Sequence, residues 1–441
     1  MPTPREVFDN PKQFIKYLQS GNFEGQFFER KEVRDDSKTQ RDNIKDKIIQ
    51  TISGFANSNW DGGLLVLGMA DDGTIIGWNH VQEINLNGIL QAKEGELRGH
   101  STQTKEFHSQ NVQGDDDRIY LLYTPWTSNA ICETTDSFPK AWKRDGPQCL
   151  PLTEQDRDQL KRDKGIVDFE LSYCCPYDAD ELDTGVVEEF KKAFLETRDS
   201  QYDYTTEEVL FQAGALNKEN GKYAFTNAGY LFFVSNPRKR FGGAFVRLLR
   251  YDVSAEELKN YGATTLDKDF DGALPNIIRN LRTFLNDSAI FRTFSKRNHN
   301  GGFIDEPEYP FIAIDEALVN AVVHRDYGVS NPIRCTVYRD SLAVKSPGSI
   351  PQQVPDSFSL HETSLDSVLR NPKIVEWMRI MKDEQGTAFV RALSEGTRRM
   401  REEMEQLGLP APYYQTNTHT TVTLQNRIDE RLERYGAERC Q

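Results

Sequence analysis

Short apolar runs and longer stretches of helical periodicity alternate along this chain. Between residues 43 and 57, Ile44, Ile48, Ile49, Ile52 and Phe55 recur with a 3.6-residue period, which predicts an amphipathic helix. Gly62-Gly63 and the apolar run 64–67 then predict a turn into a buried strand. Asp72-Gly73 predicts a hairpin turn, with 74–77 as the returning strand. A short amphipathic helix over 11–19 precedes these elements, and a long polar stretch follows them as far as Phe107. Residues 119–124 and 139–146 read as strands. Residues 152–164 read as a helix opened by Thr153, with Asp156 three positions on.

Further along, an acidic linker at 178–183 leads to helices at 186–197 and 204–214, the second stopped by Gly214. Their size admits a winged-helix reading beside that of plain helical connectors. A strand at 245–251 and a helix at 274–285 follow. In the helix predicted for 315–327, Glu316, Asn320 and His324 stand at every fourth position, a polar stripe beside an apolar side. Such a stripe faces either solvent or a ligand. Strands at 333–339 and 342–345, a helix past Met400 and a closing strand at 420–424 complete the pattern. Residues 426–441 form a charged tail, at most a short helix, leaving no room for a further DNA-reading domain.

Composition narrows the class. A chain of 441 residues with 37% hydrophobic and 28% charged content suits two or three globular domains. No run approaches the roughly 20 apolar residues that span a bilayer, and the N-terminus lacks an apolar signal region, so a cytoplasmic protein is expected. Six cysteines make no disulfide framework, and Cys174-Cys175 reads as two reduced strand residues. The formal charge of −14 argues against general coating of DNA. It leaves room for a local basic surface, for which Arg30, Lys31, Arg34, Lys143 and Arg144 are the candidates.

Glu24 and Glu29 are five apart around an apolar pair, and Asp72 sits at the hairpin turn. One sheet can bring the three together as oxygen ligands of a hard divalent cation, with Lys31 steadying a phosphate as a point charge. The alternative is that Glu24 and Glu29 form salt bridges with neighbours such as Arg30 or Lys31.

These residues carry a resemblance. Glu24, Glu29 and Lys31, then Phe55-Ala56-Asn57, Gly62-Gly63, Leu67-Gly68, Asp71-Asp72-Gly73 and Ile76-Gly77, resemble in order the AlbA-like domain shared with Schlafen proteins, over about residues 20–150. The resemblance implies a Glu, Glu, Asp metal site at Glu24, Glu29 and Asp72, holding Mg²⁺ or Mn²⁺, and cleavage of structured, tRNA-like RNA. It also puts Lys143 and Arg144 near a phosphate-binding face.

A second resemblance rests on the 315–327 helix, Ser346-Pro347-Gly348, Arg370-Asn371-Pro372 and the turn from Ser394 to Met400. Over about 200–425 these are similar to a divergent GHKL-type ATP-binding domain, the form found at the C-terminus of RecG-like regulators. It implies that Asn320 contacts Mg²⁺ and the ATP phosphates and that Glu316 positions a water. His324, Gly348, Gly396 and Thr397 would line the nucleotide, Gly396 letting backbone approach phosphate. Two departures stand out: Ser346 replaces the aspartate that reads adenine, and Arg398 replaces the second glycine of the turn.

The expected architecture is α+β. It comprises a Schlafen AlbA-like domain over 1–165, a helical connector over 166–235, a GHKL-like α/β sandwich over 236–425 and a tail over 426–441. The expected function is a metal-dependent endoribonuclease controlled by an ATP-binding domain, in stress or phage defence. The alternatives are an ATP-binding, DNA-binding transcriptional regulator without nuclease activity, or the scaffold of a defence complex. Expected partners are nucleic acid, RNA before DNA, and no membrane. A second copy or a defence-system protein stays open.

Overall fold

The isoleucine stripe becomes one side of the helix Lys38–Ser58, opened by Ser37, whose hydroxyl accepts from the Gln40 amide. A computed structural model describes this helix and the rest of the chain except residues 1, 22, 199–201, 203, 260–263, 288–289, 298–300, 351–353, 356, 366–367, 384–385, 387, 391–394 and 436–441. The helix lies on a four-stranded sheet in the order Phe28–Lys31, Gly63–Leu67, Asp116–Thr124, Gln103–Gln110. The first pair is parallel and the others antiparallel.

Gly63–Leu67 is buried throughout because both of its faces are covered. Leu65 and Leu67 meet Ile48, Ile52 and Phe55 on the helix side. Leu64 and Val66 meet Val7, Phe8, Leu18, Phe23 and Phe28 on the other. Gly63 is obligatory here: a Cβ would fall 2.1 Å from the Phe55 ring. The helix expected over 11–19 is instead Pro4–Asp9, closed at its start by a Thr3–Glu6 capping box, followed by the single turn Ile15–Leu18. The Asp72-Gly73 turn forms, but its return is the one bridge Met69–Ile75 and not a strand. The polar stretch before Phe107 hides the edge strand Gln103–Gln110, on which Phe107 alone is buried, as an edge position allows. Thr153 opens Glu154–Asp163 with Asp156 as its capping partner.

These elements make up one compact unit, Met1–Asp168; Phe169–Gln441 makes up a second. The segment expected as a separate connector mostly belongs to the second unit. Its strands Tyr173–Pro176, Leu216–Glu219 and Lys222–Thr226 form a sheet, and its helices include Thr184–Glu196, Thr206–Ala213 and Asn227–Phe233. Phe190, Phe232 and Phe233 surround Trp377 with ring centroids 6.1, 5.2 and 5.3 Å away, so segment and sandwich share one core. Helix Thr206–Ala213 carries Glu207 and Glu208 in its first turn, Glu208 closing the capping box with Thr205. Asp183 of the acidic linker caps Thr184–Glu196, accepting from the Val186 amide at 3.1 Å.

The main sheet of the second unit runs Leu266–Phe270, Val246–Arg250, Ile333–Val337, Ser341–Pro347, His419–Gln425, Tyr413–Thr416, Ser357–Ser359. Its Val246, Leu248, Ile333, Cys335, Leu342, Val344, Val422 and Leu424 share a core with helices Leu274–Asp287, Phe311–Val323 and Glu395–Gln406. Among the described residues no helix is long and apolar enough to cross a membrane.

Candidate nucleic-acid and nucleotide sites

In the first unit, Glu29 lies on the first strand, opposite Leu65, and is 5% exposed. One carboxylate oxygen takes the Lys31 ammonium and the other takes the Arg144 guanidinium. Arg144 comes from the hairpin Trp142–Asp145/Gln148–Pro151. It also donates to the Gly25 carbonyl at 2.8 Å and lies 5.1 Å above the Phe55 ring. It is a buried strut that ties the hairpin to the sheet, and it is not exposed on a phosphate-binding face as the resemblance implied. Arg30 is fully buried as well, donating to the carbonyls of Leu18 and Ser20 at 3.3 and 2.8 Å beneath Phe23. Strand alternation turns Arg30 to the face opposite Glu29.

Glu24 accepts from the Arg30 amide at 3.1 Å. Its pKa is raised, first by burial, then by Glu29, with Asp71 adding to the effect. Asp72 instead turns into its own loop, accepting from the Thr74 amide at 2.8 Å, and those Thr74 hydrogen bonds hold its pKa down. Of the two aspartates of the turn it is therefore Asp71, and not Asp72, that adds to the field of Glu29 at Glu24. In a tight turn neighbouring side chains diverge, and motif alignment alone does not tell which of the two points back. Among the described residues no three His, Cys, Asp or Glu side chains gather as ligands of one ion. The expected cation site at Glu24, Glu29 and Asp72 thus does not fit: Asp72 points away and both oxygens of Glu29 are taken by cations of the protein. Lys31 is likewise spent on Glu29. Two of the proposed phosphate contacts remain at the surface: Arg34, paired with Glu32 at 2.7 Å, and Lys143, paired with Asp156 at 2.8 Å.

In the second unit, three pieces far apart in sequence converge. Asn320 donates to Glu316 Oε1 at 2.9 Å on the helix Phe311–Val323. Gly396, at the start of Glu395–Gln406, faces the same carboxylate so closely that a Cβ would sit 1.6 Å from Oε1. Thr397 follows in that helix. His324 and Gly348 lie at the other end of Phe311–Val323, near Arg370. Asn371, which the sequence reading used only as part of a motif, caps that end, donating to the Val323 and Arg325 carbonyls at 2.9 and 2.8 Å. Ser346 is buried and donates to the Ala321 carbonyl at 2.8 Å, so its hydroxyl proton is not offered to a base. Asn320, Glu316 and Gly396 thus form one contact group, and Ser346 stands where the family pattern has an aspartate.

Burial, helped by the charge of Arg370, pushes the His324 pKa down to about 4. An unfolded histidine titrates near 6.5, so the unfolded chain takes up the proton first as pH falls. Stability is full above about pH 6.5 and is expected to drop by up to about 3 kcal/mol on the way to about pH 4. Urea unfolding between those pH values checks this. His324→Gln should remove most of the slope that wild type shows.

Two domain classes account for this geometry. Residues 24–153 match the family model described as Schlafen, AlbA_2, and residues 330–424 match the one described as putative ATP-dependent DNA helicase recG C-terminal. The chain carries a Schlafen AlbA_2-type domain followed by a recG C-terminal, ATPase-like domain in an α+β fold. The second match begins after Glu316, Asn320 and His324. No curated protein matches the chain. Among solved structures, the DIP2311 protein from Corynebacterium diphtheriae is 20% identical, with 96% of this chain and 81% of that chain covered at a TM-score of 0.42. The two domain matches together suggest a nucleic-acid-related protein with an ATP-binding type of domain.

Proposed function

We propose that the protein is a nucleic-acid-binding regulator whose first unit binds without cutting and whose second unit responds to a purine nucleotide with Mg²⁺. The observation that carries this reading is the double occupation of Glu29 by Lys31 and Arg144. A carboxylate held in a buried pair with an arginine is part of the scaffold, and releasing it to a metal would strand the arginine charge. Arg34 and Lys143 supply the binding chemistry. Their pairs with Glu32 and Asp156 lie at the surface, where an ion pair is worth about 0–1 kcal/mol and exchanges readily for a phosphate. RNA is favoured over DNA, from the Schlafen-type match. Partner proteins, a second copy included, and a role in defence rest on the same likeness.

One observation favours a second reading, a metal-dependent endoribonuclease: Glu24 has a raised pKa and two acids, Glu29 and Asp71, in its field. Incubating the full chain with total tRNA and Mn²⁺ or Mg²⁺ decides between the two. Regulation without cleavage predicts intact tRNA, together with binding that weakens steeply as salt rises. Cleavage by wild type that Glu24→Ala and Asp71→Ala both abolish, with folding kept, would overturn it in favour of the nuclease. Absence of binding to RNA and DNA at low salt would remove both readings.

A further inference from the structure

The large sheet of the second unit has one face in the core and one that no function described so far uses. On that second face the strand register brings three cations side by side: Arg247 lies opposite Arg334, and Arg334 opposite Lys345. All three are exposed. Neighbouring strands lie about 4.8 Å apart, so the row spans about 10 Å. Thr421 and Gln415 continue it across the next two strands. Alternation along the strands puts Leu249 and Tyr251 on the same face as Arg247, and Thr336 and Tyr338 on the same face as Arg334. Tyr251 and Tyr338 form a stacked pair, ring centroids 6.0 Å apart and planes at 17°. Tyr251 and Tyr338 stand four residues along their strands from Arg247 and Arg334, about 13 Å at the strand rise.

The edge strand balances part of this charge. Arg247 is paired with Asp267 at 2.8 Å, and Asp269 stands beside it in register. The net positive charge therefore centres on Arg334 and Lys345. In a chain of net charge −14, Arg334 and Lys345 are aligned in the middle of the sheet without a carboxylate opposite them in the register.

We propose that this face of the sheet binds single-stranded nucleic acid, its phosphates meeting Arg334 and Lys345 and a base stacking on the Tyr251–Tyr338 pair. A basic track beside aromatic rings suits single strands, because each nucleotide offers both a charge and a π-face. A duplex hides its bases from such a pair, and an acidic peptide has no flat ring to stack on it. The site lies wholly within the second unit, so it stands or falls separately from the reading of the first.

The test is fluorescence anisotropy of the full chain with single-stranded RNA and DNA 20-mers, a duplex of the same sequence, and heparin as a polyanion without bases. Arg334→Ala/Lys345→Ala should weaken single-strand binding at least tenfold. It should also lower the slope of log K against log salt by about 1.4, since each phosphate contact on a single strand contributes about 0.7. Tyr338→Ala should cost about fivefold or more, while Tyr338→Phe, which keeps the ring, should bind as wild type. Arg34→Ala/Lys143→Ala, measured in parallel, reports on the first unit. Three outcomes overturn the proposal: no single-strand binding by wild type, affinity and salt slope unchanged in Arg334→Ala/Lys345→Ala, or heparin and duplex bound as tightly as the single strand with no dependence on Tyr338.

Discussion

Arg144→Ala is expected to destabilise the first unit by about 3–5 kcal/mol, the cost of leaving a buried carboxylate without its partner. Arg144 does three jobs at once. It neutralises Glu29, satisfies the Gly25 carbonyl and covers the ring of Phe55. Alanine removes all three and leaves Glu29, 5% exposed, with Lys31 alone. Arg144→Lys keeps the charge but loses the planar fork that reaches Glu29 and Gly25 together, so an intermediate loss is expected. Urea denaturation followed by far-ultraviolet circular dichroism measures both. The same variant probes the nuclease reading. If Glu24, Glu29 and Asp71 hold a cation in the working protein, Mn²⁺ should restore stability to Arg144→Ala by replacing the lost positive charge. The scaffold reading predicts no rescue. A loss under 1 kcal/mol would mean that Glu29 is not held as the structure places it.

The second large effect concerns the nucleotide. ATP with Mg²⁺ at 100 times its dissociation constant is expected to stabilise the second unit by about 2.7 kcal/mol, read as a rise in melting temperature. Asn320→Ala should remove most of that rise, because Asn320 is the polar group held beside both Glu316 and the Gly396 approach. Base selectivity should be poor. Ser346 is buried and presents one neutral hydroxyl oxygen, turned toward the Ala321 carbonyl, where the family pattern has a charged carboxylate to accept from adenine's amino group. GTP should therefore shift the melt about as far as ATP, within a tenfold difference in affinity, about 1.4 kcal/mol. A wild type whose melt moves with neither nucleotide would leave the second unit a structural domain. A shift that Asn320→Ala retains in full would place the phosphates elsewhere.

Much of the architecture was legible in the chain because it rests on local periodicity. The isoleucine stripe of Lys38–Ser58, the Gly63–Leu67 run and the Thr153–Asp156 cap each depend on residues a few positions apart. The order of short motifs was equally legible, and both domain classes followed from it. Sequence also brought Glu316, Asn320 and Gly396 into one group, through the family pattern that orders them.

What the sequence left open was direction and burial. Arg30 and Arg144 look like any surface cations in a string of letters. Their roles depend on Leu18 and Ser20 in one case and on Gly25, Phe28 and Glu29 in the other, brought near by sheet and hairpin closure. Asp71 and Asp72 are equivalent in a motif, and only the path of the turn decides which one Glu24 feels. The segment over 166–235 reads as a spacer until Trp377 arrives to fill the space among Phe190, Phe232 and Phe233. The cation row on the open sheet joins Arg247 to Arg334, 87 positions apart, through parallel strand register. Periodicity is a property of neighbours along the chain, and it determined the elements. The partner of a charge is set by which elements close on one another, and for Glu29, Arg144 and the sheet row the tertiary structure alone decided it.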